Sequence, residues 1–171
     1  MTSRAATEYR YEKLTWPEIN DAVEMGKVCV VPCGSVEQHG PHLPLDVDIV
    51  CPQGIAYGAG KEVPDRLLVL PPVWWGYTAH VMDFPGTVNT HYETFIRLVL
   101  DITKSLAYHG FKKIILLNGH GSNMPNLDLA ARRRGRPPAG RPGRRRAAGA
   151  GRAARPRCRA ARKPCPAPPR R

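Results

Sequence analysis

The sequence predicts an α/β protein built on a mainly parallel sheet. Three observations carry that expectation: short apolar, β-branched runs that are hydrophobic on both alternating faces, amphipathic stretches with helix caps between them, and Gly- and Pro-rich loops that follow the runs. A run apolar on both faces reads as a strand covered from both sides, the usual state in a parallel sheet. Strands that alternate with helices then call for right-handed crossovers.

In chain order, Thr15-Trp16-Pro17-Glu18 is a capping box with Pro in the first turn, followed by apolar Ile19, Ala22 and Val23 and a terminating Gly26. The run VCVVPCGS, residues 28–35, is the first strand. Asp48 can cap a second helix toward Lys61, weakened by Pro52, Gly54, Gly58 and Gly60. LLVLPPVWW, residues 67–75, is a second strand broken by its prolines. A third helix begins at a capping box, Thr90-x-x-Glu93, keeps apolar spacing through Phe95, Leu98, Val99, Ile102 and Leu106, and stops at Gly110. KKIILLNG, residues 112–119, is a third strand, expected to be fully buried.

Charge divides the chain. All 14 acidic residues lie at or before Asp128, whereas 16 of the 26 basic residues lie from Arg132 onward. Residues 1–131 therefore read as one domain, and residues 132–171, built only from Arg, Ala, Gly, Pro, Cys and Lys, as a disordered tail without the apolar side chains of a core. The tail lacks the Ser and aromatic residues that nucleic-acid arms interleave, so a GC-rich stretch read out of frame is preferred to a nucleic-acid partner. The run MTSRAATEYRYEK has no apolar leader core and no stretch is long enough to span a bilayer, so a cytoplasmic protein is expected. Cys29, Cys33 and Cys51 fall in apolar stretches and are expected as free, buried thiols.

Two clusters carry chemistry. Glu37, His39 and Asp48 follow the first strand in a Gly- and Pro-rich loop, and His120 follows the third inside Asn-Gly-His-Gly-Ser-Asn. In open parallel sheets functional groups collect beyond the carboxyl ends of the strands, where both clusters sit. Carboxylates mixed with imidazoles suit zinc, manganese or iron rather than calcium. Glu37 and His39, two apart, project to one side of extended backbone, and a carboxylate at Asp48 can bridge two divalent cations. His42 is expected to pack the loop or support a ligand; His91 and His109, at helix ends, are expected in solvent; only His80 has a functional case.

The motifs GSVEQHGPHLPLDVD, FPGT (84–87) and NGHGSN, in that order, resemble the creatininase, or creatinine amidohydrolase, family over about residues 14–131. The resemblance implies a three-layer α/β/α domain, usually in a homohexamer, that hydrolyses an amide or similar bond of a small molecule with metal-activated water. It makes Glu37, His39, Asp48 and His120 the ligands of two metal ions, with Asp48 as the bridge. Gly76-Tyr77-Thr78-Ala79-His80 keeps a family pattern with Thr for Ser, which puts Thr78 and His80 beside the substrate, with Trp74 and Trp75 either lining the pocket or packing a strand end. Creatininase itself has a Glu two residues after the motif histidine, where this chain has Ser122. Other branches draw that ligand from downstream His-Ala-Gly and Glu-Thr-Ser segments, absent after residue 131. The resemblance thus implies an incomplete ligand set, an incomplete sheet and impaired turnover. It points away from creatinine and toward keto-inositols, leaves the catalytic acid unassigned, and keeps an inactive fragment or a basic-tail nucleic-acid binder as the alternatives.

Overall fold

The computed structural model describes residues 3–133; the expectations for the tail beyond them lie outside the described residues. Three parallel strands, β1 (Val28–Cys33), β2 (Leu67–Val69) and β3 (Ile114–Asn118), form a sheet in the order β2-β1-β3. Four α-helices flank them: α1 (Trp16–Glu24), α2 (Val47–Glu62), α3 (Tyr92–His109) and α4 (Met124–Arg132).

Side chains alternate along β1, and each set meets a different layer. Cys29, Val31 and Cys33 join Ala22 of α1, Phe95, Val99 and Leu106 of α3 and Leu127 of α4; Val30 joins Ala56 of α2. One helix on one face and three on the other make the predicted three layers. The caps of α1 and α3 explain where these helices stand. Thr15 N–H donates to Glu18 Oε2 at 2.8 Å, closing the first capping box, while Gly26 (φ 72°) and Gly110 (φ 112°) turn the chain out of the helices in the left-handed conformation.

Several elements depart from expectation for identifiable reasons. The strand expected over 67–75 ends at Val69, because Pro71 and Pro72 cannot donate. The segment nevertheless stays beside β1, with Val73 N–H donating to Pro32 O at 2.8 Å and Gly34 N–H to Val73 O at 2.9 Å, and so reaches the site at 76–78. Among the described residues β3 lies at the edge of the sheet and is not fully buried: Ile114 and Leu116 pack under the α1, α3 and α4 layer, but Ile115 is 48% exposed. The Thr90 capping box does not form; Thr90 N–H is taken by Gly76 O at 3.0 Å, and α3 starts at Tyr92 with His91 as its cap residue. Helix α4, not foreseen, carries the chain across the compositional break to Arg132, which pairs with Asp128 at 2.7 Å. Cys51 is exposed, not buried.

Burial pushes the Cys29 and Cys33 thiols up to about 12. A folded-state value raised above that of the unfolded chain contributes stability fully present below about pH 8.5 and lost as pH rises toward the folded value. Denaturant titrations between pH 8 and 11 are expected to lose stability on the order of a few kcal/mol from this pair. The double replacement Cys29→Ala with Cys33→Ala is expected to flatten that slope. It also isolates the thiols from the neighbouring Lys27, whose burial lowers its value and acts with the opposite sign.

Candidate metal centre

Glu37 is fixed by the loop on both sides. Val88 N–H donates to Val36 O at 3.0 Å and Glu37 N–H to Leu45 O at 3.1 Å, while the Thr87 hydroxyl accepts from Gln38 N–H at 3.4 Å. The Phe84–Thr87 motif is thus a turn that clamps the strand-end loop, with Gly86 at φ 92° over the Leu45 side chain. Glu37 itself is buried, and the Thr78 hydroxyl donates to its Oε2.

Asp48 was expected to cap α2 but lies inside its first turn, with Asp46 as the cap residue. Its carboxylate turns away from the helix backbone toward two imidazoles. Pro52, four residues on, has no N–H for the Asp48 carbonyl. That carbonyl oxygen instead packs directly against Gly34 and Gly119, where no Cβ would fit. Two strand-end glycines and a proline inside a helix are therefore one device that brings the start of α2 onto the ends of β1 and β3.

The two histidines are oriented by backbone carbonyls. His39 Nδ1 is 3.2 Å from Glu37 O, and His120 Nε2 is 3.0 Å from Tyr77 O. A carbonyl only accepts, so a neutral ring bonded in this way carries its proton on the nitrogen beside the carbonyl and leaves the opposite nitrogen free to bind a cation. The opposite nitrogens face the two oxygens of one carboxylate: His39 Nε2 is hydrogen-bonded to Asp48 Oδ1 at 3.1 Å, and His120 Nδ1 lies 2.8 Å from Asp48 Oδ2. His120 Nδ1 is also 3.4 Å from Glu37 Oε1. Close as it is, Asp48 Oδ2 has no hydrogen-bond partner among the described residues, so His120 and Asp48 are not aligned as donor and acceptor. Burial raises the Asp48 carboxyl above the usual carboxylate range, against the pull of His120 and His39. Converging imidazole nitrogens, a buried carboxylate oxygen without a hydrogen-bond partner among the described residues and a mixed carboxylate–imidazole donor set fit a divalent transition-metal cation. Glu37, His39 and Asp48 offer donor atoms within 4.8 Å of one another.

The sequence profile of the creatininase family, creatinine amidohydrolase, matches residues 12–159. The chain belongs to the creatininase family. Its match to that profile runs past the compositional break at residue 131. It is 35% identical over 132 residues to the creatinine amidohydrolase of Pseudomonas putida, covering 70% of this chain and 49% of that protein. It is 31% identical over 112 residues to the 3-dehydro-scyllo-inosose hydrolase of Thermotoga maritima, covering 65% of this chain and 35% of that protein. A solved manganese form of creatininase superposes with a TM-score of 0.66 at 32% identity, over 73% of this chain and 52% of that one. The chain thus spans about half the length, or less, of the creatininase-family proteins it matches.

The structure brings Glu37, His39, Asp48 and His120 together. It treats the substrate-side candidates unequally. The Thr78 hydroxyl is committed to Glu37, and the exposed His80 ring stacks on His120 with centroids 6.1 Å apart and planes 16° apart. Trp74 and Trp75 are both about half exposed, so neither is the packed strand end that was the alternative. His42 is exposed and supports no ligand among the contacts of the described residues, while His91 and His109 are exposed as expected. Sequence reasoning missed Asn123, fully buried, whose side chain binds the backbone of two different loops. Its only signal was its place at the end of the Asn-Gly-His-Gly-Ser-Asn run.

Proposed function

We propose that this chain carries the site of a creatininase-family, metal-dependent hydrolase that acts on a small cyclic amide or carbonyl compound, with keto-inositols the first class to test. The observation that carries the reading is the Asp48 carboxylate, which has a histidine ring nitrogen opposite each of its oxygens. Two cations, zinc, manganese or iron, would be held by Asp48 together with Glu37, His39 and His120. When bound, the cations supply Lewis-acid polarisation of a carbonyl and a water that is acidic near neutral pH.

The protein's own groups do the rest. Glu37 and Asp48 bring negative charge into a buried setting, the Thr78 hydroxyl fixes the Glu37 rotamer, and the Tyr77 carbonyl fixes the His120 tautomer. His80, open to solvent beside His120, and Trp74, on the loop leading to Thr78, are the residues we place against substrate. The relatives that act on creatinine and on an inosose set the two substrate classes to assay first. We assign the domain to residues 1–131, and a homo-oligomer in the cytoplasm completes the proposal. Among the described residues no helix is long and apolar enough to cross a membrane.

The two cation positions are unequal, because His39 and Asp48 Oδ1 lack the additional carboxylate that the family resemblance places at residue 122. The purified protein is expected to hold one metal ion tightly and a second weakly, and Ser122→Glu to raise tight binding toward two. Elemental analysis after gel filtration checks both. The functional test is a hydrolysis assay over cyclic amides and keto-inositols, with and without chelator. Chelator-sensitive turnover is the expected result, and turnover indifferent to chelator would remove the reading.

A further inference from the structure

Residues 76–78 form a strap that touches two of the four site residues from two directions, and the strap is itself held by asparagines. Tyr77 O faces His120 Nε2 at 3.0 Å, and the Thr78 hydroxyl reaches Glu37. Behind the strap, Asn123 Oδ1 accepts from Tyr77 N–H at 2.9 Å, and Asn89 Oδ1 accepts from Thr78 N–H at 2.8 Å. Asn123 Nδ2 also donates to Gly34 O at 2.9 Å, at the end of β1. Asn123 is 0% exposed, and a Cβ on Gly76 would collide with the Asn123 amide and Gly34 O. The strap is thus pressed against Asn123 with no room for a side chain between them.

We propose that Asn123 is a positioning residue for the metal centre, acting on His120 through the backbone of Tyr77, whose N–H it holds and whose carbonyl faces the imidazole. The inference rests on the functional reading above. The chain of contacts is short. The Asn123 amide oxygen holds Tyr77 N–H, on the Gly76–Tyr77 amide, and its amide nitrogen holds the end of β1, while Asn89 holds Thr78 N–H on the next amide, the one that carries the Tyr77 carbonyl. The Tyr77 carbonyl then takes the His120 Nε2 proton, and Nδ1 is left to face Asp48 and Glu37. Asn123 lies three residues after His120, in the short turn Gly121–Asn123 whose backbone closes with Asn123 N–H on His120 O at 3.1 Å. The same turn therefore carries the imidazole and the amide that sets its tautomer. A carbonyl accepting from a metal-binding histidine fixes ring orientation and raises ligand basicity, and loss of such a support lowers metal affinity by roughly 10- to 100-fold. Thr and Ser are poorer choices here, since neither offers a donor and an acceptor on separate atoms as an amide does.

A purely structural asparagine would also be buried and doubly bonded, so the test reads the tautomer rather than stability alone. Full-length metal-free protein, labelled with 15N on histidine, is examined by long-range 1H–15N correlation at a pH where His120 is neutral, and Zn2+ affinity is measured by competition with a chromophoric chelator. In the unsubstituted protein His120 is expected as the Nε2–H tautomer. Asn123→Leu, of similar volume but without hydrogen bonds, is expected to populate the Nδ1–H tautomer and to lose Zn2+ affinity roughly 10- to 100-fold. Asn123→Ala, which removes both hydrogen bonds without added bulk, is expected to shift the tautomer in the same direction.

Unchanged tautomer in a folded Asn123→Leu overturns the proposal, whether or not affinity falls, as does an Nδ1–H tautomer in the unsubstituted protein. If Asn123→Leu does not fold, Asn123→Ala decides in its place: a population of the Nδ1–H tautomer supports the proposal and an unchanged tautomer overturns it. If the unsubstituted protein takes up no Zn2+, the metal reading fails by itself, and the tautomer comparison still judges the role of Asn123.

Discussion

Asp48→Ala is expected to give a folded protein that retains no tightly held metal and hydrolyses its substrate at least roughly 10³-fold more slowly, the equivalent of several kcal/mol of lost charge stabilisation. Asp48 is the only described residue that faces both His39 and His120 with its carboxylate, one oxygen to each, so its removal dismantles both cation positions together. Stability should move the other way in the metal-free protein. The carboxyl is buried, and burial raises it above the usual range, so its charged form is a cost that the cations offset. A folded value raised above the unfolded one means that this group favours the fold at low pH and ceases to as pH rises through the folded value. The metal-free Asp48→Asn protein is therefore expected to melt at or above the unsubstituted protein at neutral pH, and added Zn2+ is expected to raise the melting temperature of the latter alone. Metal analysis, calorimetry and the hydrolysis assay check the three parts.

Gly119→Ala is expected to have the largest effect on the fold itself. The added methyl would be driven into the Asp48 carbonyl and the Pro52 ring. Neither can retreat easily. Gly119 N–H is bound to Cys33 O at 2.8 Å, which pins it to the end of β1, and Pro52 is buried in α2. Over-packing of this kind costs roughly 1–3 kcal/mol and sometimes more. Here the relief runs through a shift of Asp48, so metal uptake should fall together with the denaturation midpoint. Gly121→Ala is the control. Its Cβ would have nothing within 4 Å, so the same substitution two residues away should leave both properties nearly unchanged. Equal effects at the two positions would contradict the packing account.

That pair also shows where the sequence stopped being legible. In Gly-His-Gly the two glycines look alike, and only the approach of α2 distinguishes them. The parts read correctly were those governed by local pattern: the first capping box, the apolar run of β1, the glycine stops at 26 and 110, and the order of strands and helices that makes three layers. The misreadings came from competition across the fold. Thr90 offered a capping box, but Gly76 had already taken its N–H. Asp48 had the residue type and position of a helix cap, yet its carboxylate serves the histidines instead. β3 had the composition of a buried strand, but position in the sheet, rather than composition, decides that Ile115 is exposed. Lys27 runs against its residue type: it is 2% exposed, with Nζ donating to Glu8 O at 3.0 Å, a partner that only the folded amino-terminal arm supplies.

For the site, the four candidate metal-binding residues could be named from chemistry and spacing, while their support could not. Thr78 looked like a substrate contact and is turned onto Glu37; Asn123 looked like the end of a motif and holds the Tyr77 peptide. Both roles depend on contacts between segments more than 40 residues apart, as the separations of 41 and 46 residues show. Periodicity and capping rules, which work within a few residues, carry no information at that range.

The central claim is that Glu37, His39, Asp48 and His120 hold transition-metal cations through imidazole and carboxylate donors. Its most direct test is X-ray absorption at the zinc K-edge on the full chain, loaded with zinc and freed of excess metal by gel filtration. The expected spectrum shows nitrogen and oxygen scatterers in the first shell, with imidazole outer-shell features that weaken in His120→Ala. Loss of zinc during gel filtration, a sulfur shell from the free thiols, or a spectrum unchanged by His120→Ala would contradict the account.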